Sequence, residues 1–349
     1  LDTRADQPVT STQGSHTGGS IAHLLVPLVL GLLAAAFFAV SFVINRFLAT
    51  GGGSWEWTAA LRFLLVTPMF AVVVAARRGL AAVLRELRRR PLAWFAWSSA
   101  GFVVFYAPVS FAAATAPGWA VASTWQATIV CGMLAAPFLY SDHRRRIPSA
   151  ALTVSLVILG GVALVQLGRA SDTLPPTAIG GVFAVLVGAI AYPVGNRKTL
   201  VLAADSLDTW QRLLAMSIAS LPAWLIVAAG GGIRHGGPSR QQLVGTLVVA
   251  VSSGLIATTL FFAATARVQH DPTRLAAVEA TQAAEVALVA ATEPVLLHTS
   301  RPGALAWAGI VVITAGVLGY TALGRRPPRP AATARKRTRE AEELPGATS

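Results

Sequence analysis

Three glutamates crowd one apolar stretch late in the chain: Glu279, Glu285 and Glu293, with Gln282 between them. At about 100° per residue on a helix, Glu293 lies about 40° from Glu279, Gln282 about 60° and Glu285 about 120°, all to one side. One polar stripe therefore runs most of that segment. A carboxylate at bilayer depth costs roughly 2.5–3.5 kcal/mol on insertion scales, so such groups face a cavity or a partner. Poor solvation disfavours the charged form, which makes Glu285, near mid-depth, and Glu279 the candidates for carrying a proton. The competing reading puts Glu279 and Glu293 at opposite interfaces, hydrated or paired with Arg274 and Arg301.

Other polar residues inside apolar segments could line a binding cavity. Ser41 and Asn45 are one helical turn apart, and so are Tyr192 and Asn196. Each pair shares a face, where hydrogen bonding between helices is the alternative role. Trp125 and Gln126 lie deep in another segment, where an aromatic face near a carboxylate could hold a lipophilic cation. Trp55, Trp57, Trp94, Trp97 and Trp119 are nearer segment ends and read as interfacial. Tyr106 and Ser110 are further cavity candidates. Arg62 and Arg212 sit a few residues inside their segments and are expected either to snorkel to the interface or to pair with an acidic group. The site residues expected are thus Ser41, Asn45, Tyr106, Trp125, Gln126, Tyr192, Asn196 and Gln282 for substrate, with Glu285 and Glu279 for the proton.

The elements that must position these residues follow from composition. The 349 residues are 54% hydrophobic and only 12% charged, about half the charge of a soluble domain. The missing polar surface must be replaced by lipid, so the class is an all-α membrane protein. Ten apolar segments run roughly 24–44, 58–76, 92–111, 119–140, 150–167, 178–195, 210–229, 243–266, 275–297 and 304–323. Most approach the ~20 residues that cross a ~30 Å hydrocarbon layer. Residues 1–22 and 325–349 read as disordered tails, the second strongly basic.

The formal net charge of +13 does not indicate nucleic acid. Its Arg and Lys lie in short runs between apolar stretches, the pattern that holds loops on the cytoplasmic side of a membrane. With the N-terminus inside, only Arg46, Arg169, Arg234, Arg240 and Arg301 fall outside, and Arg62 and Arg212 fall within segments; all the rest are cytoplasmic. The location expected is a bacterial plasma membrane, crossed many times with both termini inside. A single Cys131 and six scattered His offer neither a disulfide framework nor a metal cluster, so no cofactor is expected.

The chain resembles itself. Asn45-Arg46 and Asn196-Arg197 close the first and sixth segments, 151 residues apart; Ala113-Ala114-Thr115-Ala116 and Ala263-Ala264-Thr265-Ala266 close the third and eighth, 150 apart. Trp57 with Leu61-Arg62 recurs as Trp210 with Gln211-Arg212. Repeats of five segments, an odd number, enter the membrane from opposite sides. Two inverted five-helix repeats, 23–167 and 178–324, are therefore expected, the arrangement that suits alternating access. A row of small residues, Gly181, Ala184, Gly188, Ala191 and Gly195, predicts a close helix–helix seam.

A chain of this length, with five plus five segments, resembles the drug/metabolite transporter superfamily of EamA type. The resemblance is sharpest at the ninth segment, where Val278-Glu279-Ala280 and Thr292-Glu293-Pro294 keep the family's spacing of two glutamates, and in Gly309 to Gly316-Val317 of the last. Ala280 replaces a proline and Thr292 a glycine, and the first half carries Trp125-Gln126 without a carboxylate. Those departures bring it nearer to the multidrug-resistance efflux branch than to a typical amino-acid exporter. The resemblance implies a central cavity lined by segments 1, 3, 4, 6, 8 and 9. It also implies a secondary transporter exporting small organic solutes or lipophilic cations, with proton antiport as one way to drive it. An uncoupled metabolite uniporter or exchanger is the alternative; an intramembrane enzyme fits less well, because no His-Glu-x-x-His or Gly-x-Ser-x-Gly is present. Monomer and homodimer are equally compatible with the sequence.

Overall fold

The computed structural model describes residues 17–139, 149–168, 176–204, 206–268, 278 and 281–323, and among them there is no strand. With no water in a bilayer core, a chain this apolar must satisfy its backbone N–H and C=O groups within each segment, which the α-helix does. The helices are α1 (Thr17–Thr50), α2 (Trp55–Ala76), α3 (Leu80–Arg89), α4 (Pro91–Ser98), α5 (Val104–Thr115), α6 (Gly118–Trp125), α7 (Ala127–Leu134) and α8 (Ala136–Leu139). They continue as α9 (Ser149–Leu167), α10 (Pro176–Ala203), α11 (Thr209–His235), α12 (Arg240–Val249), α13 (Thr258–Val268), α14 (Ala283–Leu297) and α15 (Ala304–Leu323). A π-helical stretch, Ser99–Val103, joins α4 to α5, and another, Ala250–Ala257, joins α12 to α13.

Six stretches among the described residues are long and apolar enough to cross a membrane: Leu25–Thr50, Trp55–Ala76, Pro91–Thr115, Ile179–Ala203, Thr209–His235 and Arg240–Val268. Leu152–Leu167 and Ala304–Gly319 are shorter apolar helices. The expected fourth segment is not one rod but α6, α7 and α8, with breaks at Gln126 and Ala135. Two local features accompany the first break. Ser123 and Thr124 donate their hydroxyls back to the Trp119 and Ala120 carbonyls at 2.7 and 2.8 Å, a pattern that bends helices. The second break precedes Pro137, which has no N–H to continue the ladder. At the other end, α1 begins at Thr17, so residues 17–22, expected in the tail, are helical. Residues 1–16 and 324–349 lie outside the described residues.

The helices pack in pairs. α9 lies along α15, and α11 along α2; α10 packs on α5 and α7, whereas α1 packs on α13, on the π stretch before it and on α14. The glycines of the α10 seam allow its approach to α5: a Cβ at Gly188 would sit 2.8 Å from the Phe105 carbonyl oxygen. α9 and α15 meet in the same way, each of Gly161 and Gly309 leaving room for the other's carbonyl. One apolar core surrounds Trp119, Val286 and Ile313. A second holds Trp94, Tyr106, Met216 and Trp224, where Phe63 stacks on Trp224 with centroids 4.6 Å apart. Large apolar side chains also face outward, among them Val72, Leu156, Phe183, Ile226 and Val311. Water would not tolerate such a belt, and lipid does. The protein is a multi-pass membrane protein.

Candidate functional site

The site is built around α5, where Phe105 and Tyr106 follow the π stretch directly. Such stretches widen the helix by one residue and re-aim the side chains after them. The two neighbouring rings are aimed differently. Phe105 stacks on Trp125 of α6 at 4.5 Å and meets Tyr192 of α10 at 4.9 Å, while Trp125 and Tyr192 are edge to face at 5.4 Å. Three helices thus present three aromatic faces to one another. Tyr106, 5.8 Å from Phe105, turns toward α1 and α2. Its hydroxyl pairs with the Asn45 side-chain amide at 3.0 Å from Nδ2 and 3.2 Å from Oδ1, and the Arg62 guanidinium lies over its ring at 4.1 Å. That distance is well inside the cation–π range.

Glu285, in the first turn of α14, is 5% exposed. Among the described residues its carboxylate makes neither a hydrogen bond nor an ion pair, yet neither oxygen is sealed from accessible space. Arg62 is the charge that acts on it. Gln126, at the break between α6 and α7, is in the same state: 3% exposed, its side-chain amide unbonded and its polar atoms open to space. Buried polar groups are normally hydrogen-bonded, so two that are not stand out as candidate site groups.

The second half carries a related arrangement. Arg212, one turn into α11, is 7% exposed. Its Nη1 donates to the Asn196 side-chain oxygen at 3.1 Å and lies 3.4 Å from the Asn196 carbonyl. Tyr192, one turn before Asn196 on α10, is within its electrostatic reach. Asn45 and Arg62 thus have Asn196 and Arg212 at nearly one sequence offset, whereas Tyr106 and Tyr192 stand on segments that do not correspond, the third and the sixth. Both arginines depart from the snorkelling expectation: Arg212 is buried and Arg62 is folded onto a ring.

Glu293 also departs from expectation. It is fully buried, not interfacial. Its Oε2 accepts the Trp119 N–H at 2.9 Å and the Gly118 N–H beside it, so it caps the N-terminus of α6. A Cβ at Gly118 would lie 2.8 Å from that oxygen and 2.9 Å from the Phe42 carbonyl, which is why a glycine stands there. Across the same α5–α6 turn, Arg46 of α1 donates to the last carbonyls of α5, Ala113 at 3.0 Å and Ala114 at 3.3 Å. The turn is therefore held by a cation on the carbonyl end of one helix and an anion on the amide end of the next. Trp119 and Trp94 are buried with it rather than lying in an interfacial belt.

Of the expected site residues, the structure joins Asn45 to Tyr106 by hydrogen bonds and Trp125 to Tyr192 by a ring contact, while Asn196 bonds Arg212 and both Gln126 and Glu285 are buried. Ser41 is buried, but its hydroxyl donates to the Phe38 carbonyl of its own helix at 2.8 Å. Gln282 donates weakly to the Gly31 carbonyl at 3.4 Å, tying the start of α14 to α1. Glu279 lies outside the described residues. Phe105 was missed by sequence reasoning, since a phenylalanine in an apolar run carries no polar signal; its only mark is its place beside Tyr106. The capping roles of Arg46 and Glu293 were missed because their partners are 67 and 174 residues away.

Comparison with known proteins adds a family. A profile of the family described as "Putative multidrug resistance efflux transporter" matches residues 25–326. The "Uncharacterized protein YjlA" of Bacillus subtilis (strain 168) is 45% identical over 303 residues, 84% of this chain and 94% of its own length. A protein of Shouchella clausii, "Uncharacterized 42.1 kDa protein in intracellular alkaline protease 3'region", is 42% identical over 264 residues, 74% of this chain and 69% of its own. A protein of known crystal structure superposes with a TM-score of 0.60 at 16% identity, over 87% of this chain and 99% of its own. At that identity the likeness shows the fold alone.

Proposed function

The chain belongs to the family described as "Putative multidrug resistance efflux transporter", and from that membership we propose that it is a secondary transporter that exports small organic solutes, coupled to protons through Glu285. The observation that carries the reading is the state of that carboxylate: 5% exposed in the first turn of α14, and without a hydrogen bond or ion pair among the described residues. An ionisable group at such depth costs several kcal/mol in lipid. It is tolerable when it faces a chamber, and useful when it exchanges a proton with a substrate-dependent cycle.

Two inverted five-helix repeats, ten spans in all, are the architecture this cycle uses. The equivalent packing of α1 with α13 and of α10 with α5 supports it, as do π-helical stretches in the third and eighth segments. So do Asn45 with Asn196 and Arg62 with Arg212, which stand 151 and 150 residues apart. The walls of the chamber come from segments 1, 3, 4, 6 and 9, with both termini on the cytoplasmic side of a bacterial plasma membrane. The aromatic faces bind the body of the solute, and Gln126, Asn45 and Asn196 offer hydrogen bonds to its polar groups. Glu279 is placed in the same role as Glu285, as a second group on the proton path.

Everted membrane vesicles containing the protein test the reading. An aromatic solute supplied outside should accumulate when a pH gradient is imposed, and a protonophore should abolish accumulation. Equal movement with the gradient present or collapsed would instead support an uncoupled uniporter or exchanger, with the glutamates acting as binding groups only.

A further inference from the structure

Two guanidiniums in the spans have no carboxylate partner within ion-pair distance among the described residues. Arg212 uses only Nη1, on Asn196, although the residue is 93% buried by its 7% exposure. Its Nε and Nη2 make no hydrogen bond to the described residues, and neither is sealed from accessible space. Arg62 makes no hydrogen bond at all to them; its guanidinium rests on the Tyr106 ring with its donors open in the same way. A guanidinium has five N–H donors in a planar fork that matches a carboxylate. Burying one with most of its donors idle is expensive unless something else meets them.

Phe105 links the two arginines through ring contacts. Its ring touches Tyr106, which lies under Arg62, and Tyr192, which lies in reach of Arg212. With Trp125 it forms an apolar and aromatic surface between two cationic posts. Among the described residues, the charged groups tied to that surface are Arg62, over the Tyr106 ring, and Arg212, within reach of Tyr192; both are cationic, which favours a negative group on the substrate. A lipophilic cation would add a third positive charge beside those two guanidiniums.

Resting on the carrier reading, we infer that the transported class is an organic anion with an aromatic or flat apolar body. Its carboxylate or equivalent group is taken by Arg212 in one half of the protein and by Arg62 in the other. The body lies against Phe105, Trp125 and Tyr192. The two arginines stand at repeat-equivalent positions, so the same chemistry is offered on either side of the aromatic surface.

The test is binding to the full-length protein in detergent micelles, followed by quenching of tryptophan fluorescence with indole-3-acetate, benzoate and tetraphenylphosphonium as probes. The carboxylates should quench saturably, and tetraphenylphosphonium should neither quench saturably nor displace them. Arg212→Gln should weaken carboxylate binding by about tenfold or more, the scale of one lost charge-assisted hydrogen bond, and Arg212→Lys should recover part of it. Arg62→Gln gives a second reading on the other side of the chamber should the Arg212 variants fold poorly. Saturable binding of tetraphenylphosphonium alone, binding of neither carboxylate, or carboxylate binding indifferent to both Gln variants would overturn the inference. Carboxylate binding that needs the arginines but is never followed by movement across vesicle membranes would keep the anion site and sink the carrier reading instead.

Discussion

At the residue scale, the most informative contrast is between two glutamates on one helix. Glu285 and Glu293 are both buried and eight positions apart on α14, yet only Glu293 has backbone donors aimed at it. Its replacement should therefore be costly to folding. Glu293→Ala leaves the first N–H groups of α6 without an acceptor in a buried setting and should lower stability by about 1–3 kcal/mol. Glu293→Gln, which keeps a carbonyl oxygen for the same donors, should lose less. Thermal unfolding in detergent micelles reads the order directly; equal midpoints for Glu293→Ala and the parent would remove the cap from the account. The same logic applies to Tyr106→Phe, which takes the hydroxyl from the buried Asn45 amide and should cost about 1–3 kcal/mol as that amide goes unmatched. What the sequence reveals at this scale is the unusual residue, not its partner. The spacing of Glu279, Gln282, Glu285 and Glu293 is visible in the sequence, and Glu285 and Glu293 are buried, while Glu279 lies outside the described residues. That Glu293 is a cap depends on Gly118 and Trp119 arriving from another segment, and no local pattern carries that information.

At the scale of elements, the membrane's demand for internally bonded backbone makes the helices legible, because apolar runs of sufficient length have little alternative. Their interruptions are less so. Pro137 gives notice of the break at Ala135, but the break at Gln126 involves hydroxyl back-bonds from Ser123 and Thr124, residues that sit without effect in many helices. The π stretch before Phe105 has no sequence signature either, though it sets which way Phe105 and Tyr106 point. The small-residue seam of α10 was readable, and it makes a prediction. Gly188→Val would drive side-chain carbons against the Phe105 carbonyl, 2.8 Å from where a Cβ begins. The substitution should push α10 from α5, separate Tyr192 from Trp125 and Phe105, and lower stability by about 1–3 kcal/mol, as overpacking does. A thermal midpoint and probe affinity both unchanged in Gly188→Val would show that the seam does not hold the aromatic cluster together.

At the scale of the whole molecule, two features converge among the described residues: an apolar exterior and an interior with few charges. Family membership makes the protein a membrane transporter, and the proposed inverted repeats would let one chamber open to either side in turn. The idle guanidiniums of Arg62 and Arg212 were not legible in the sequence, because snorkelling is the ordinary fate of an arginine near a helix end. The account depends on Glu285 being the group that ties substrate movement to the proton. The measurement that bears on this most directly compares the parent with Glu285→Gln in vesicles, under an imposed pH gradient and in substrate counterflow with no gradient. The account predicts that Glu285→Gln retains exchange in counterflow and loses accumulation driven by the gradient. Gradient-driven accumulation that persists at the parent level in Glu285→Gln would contradict it.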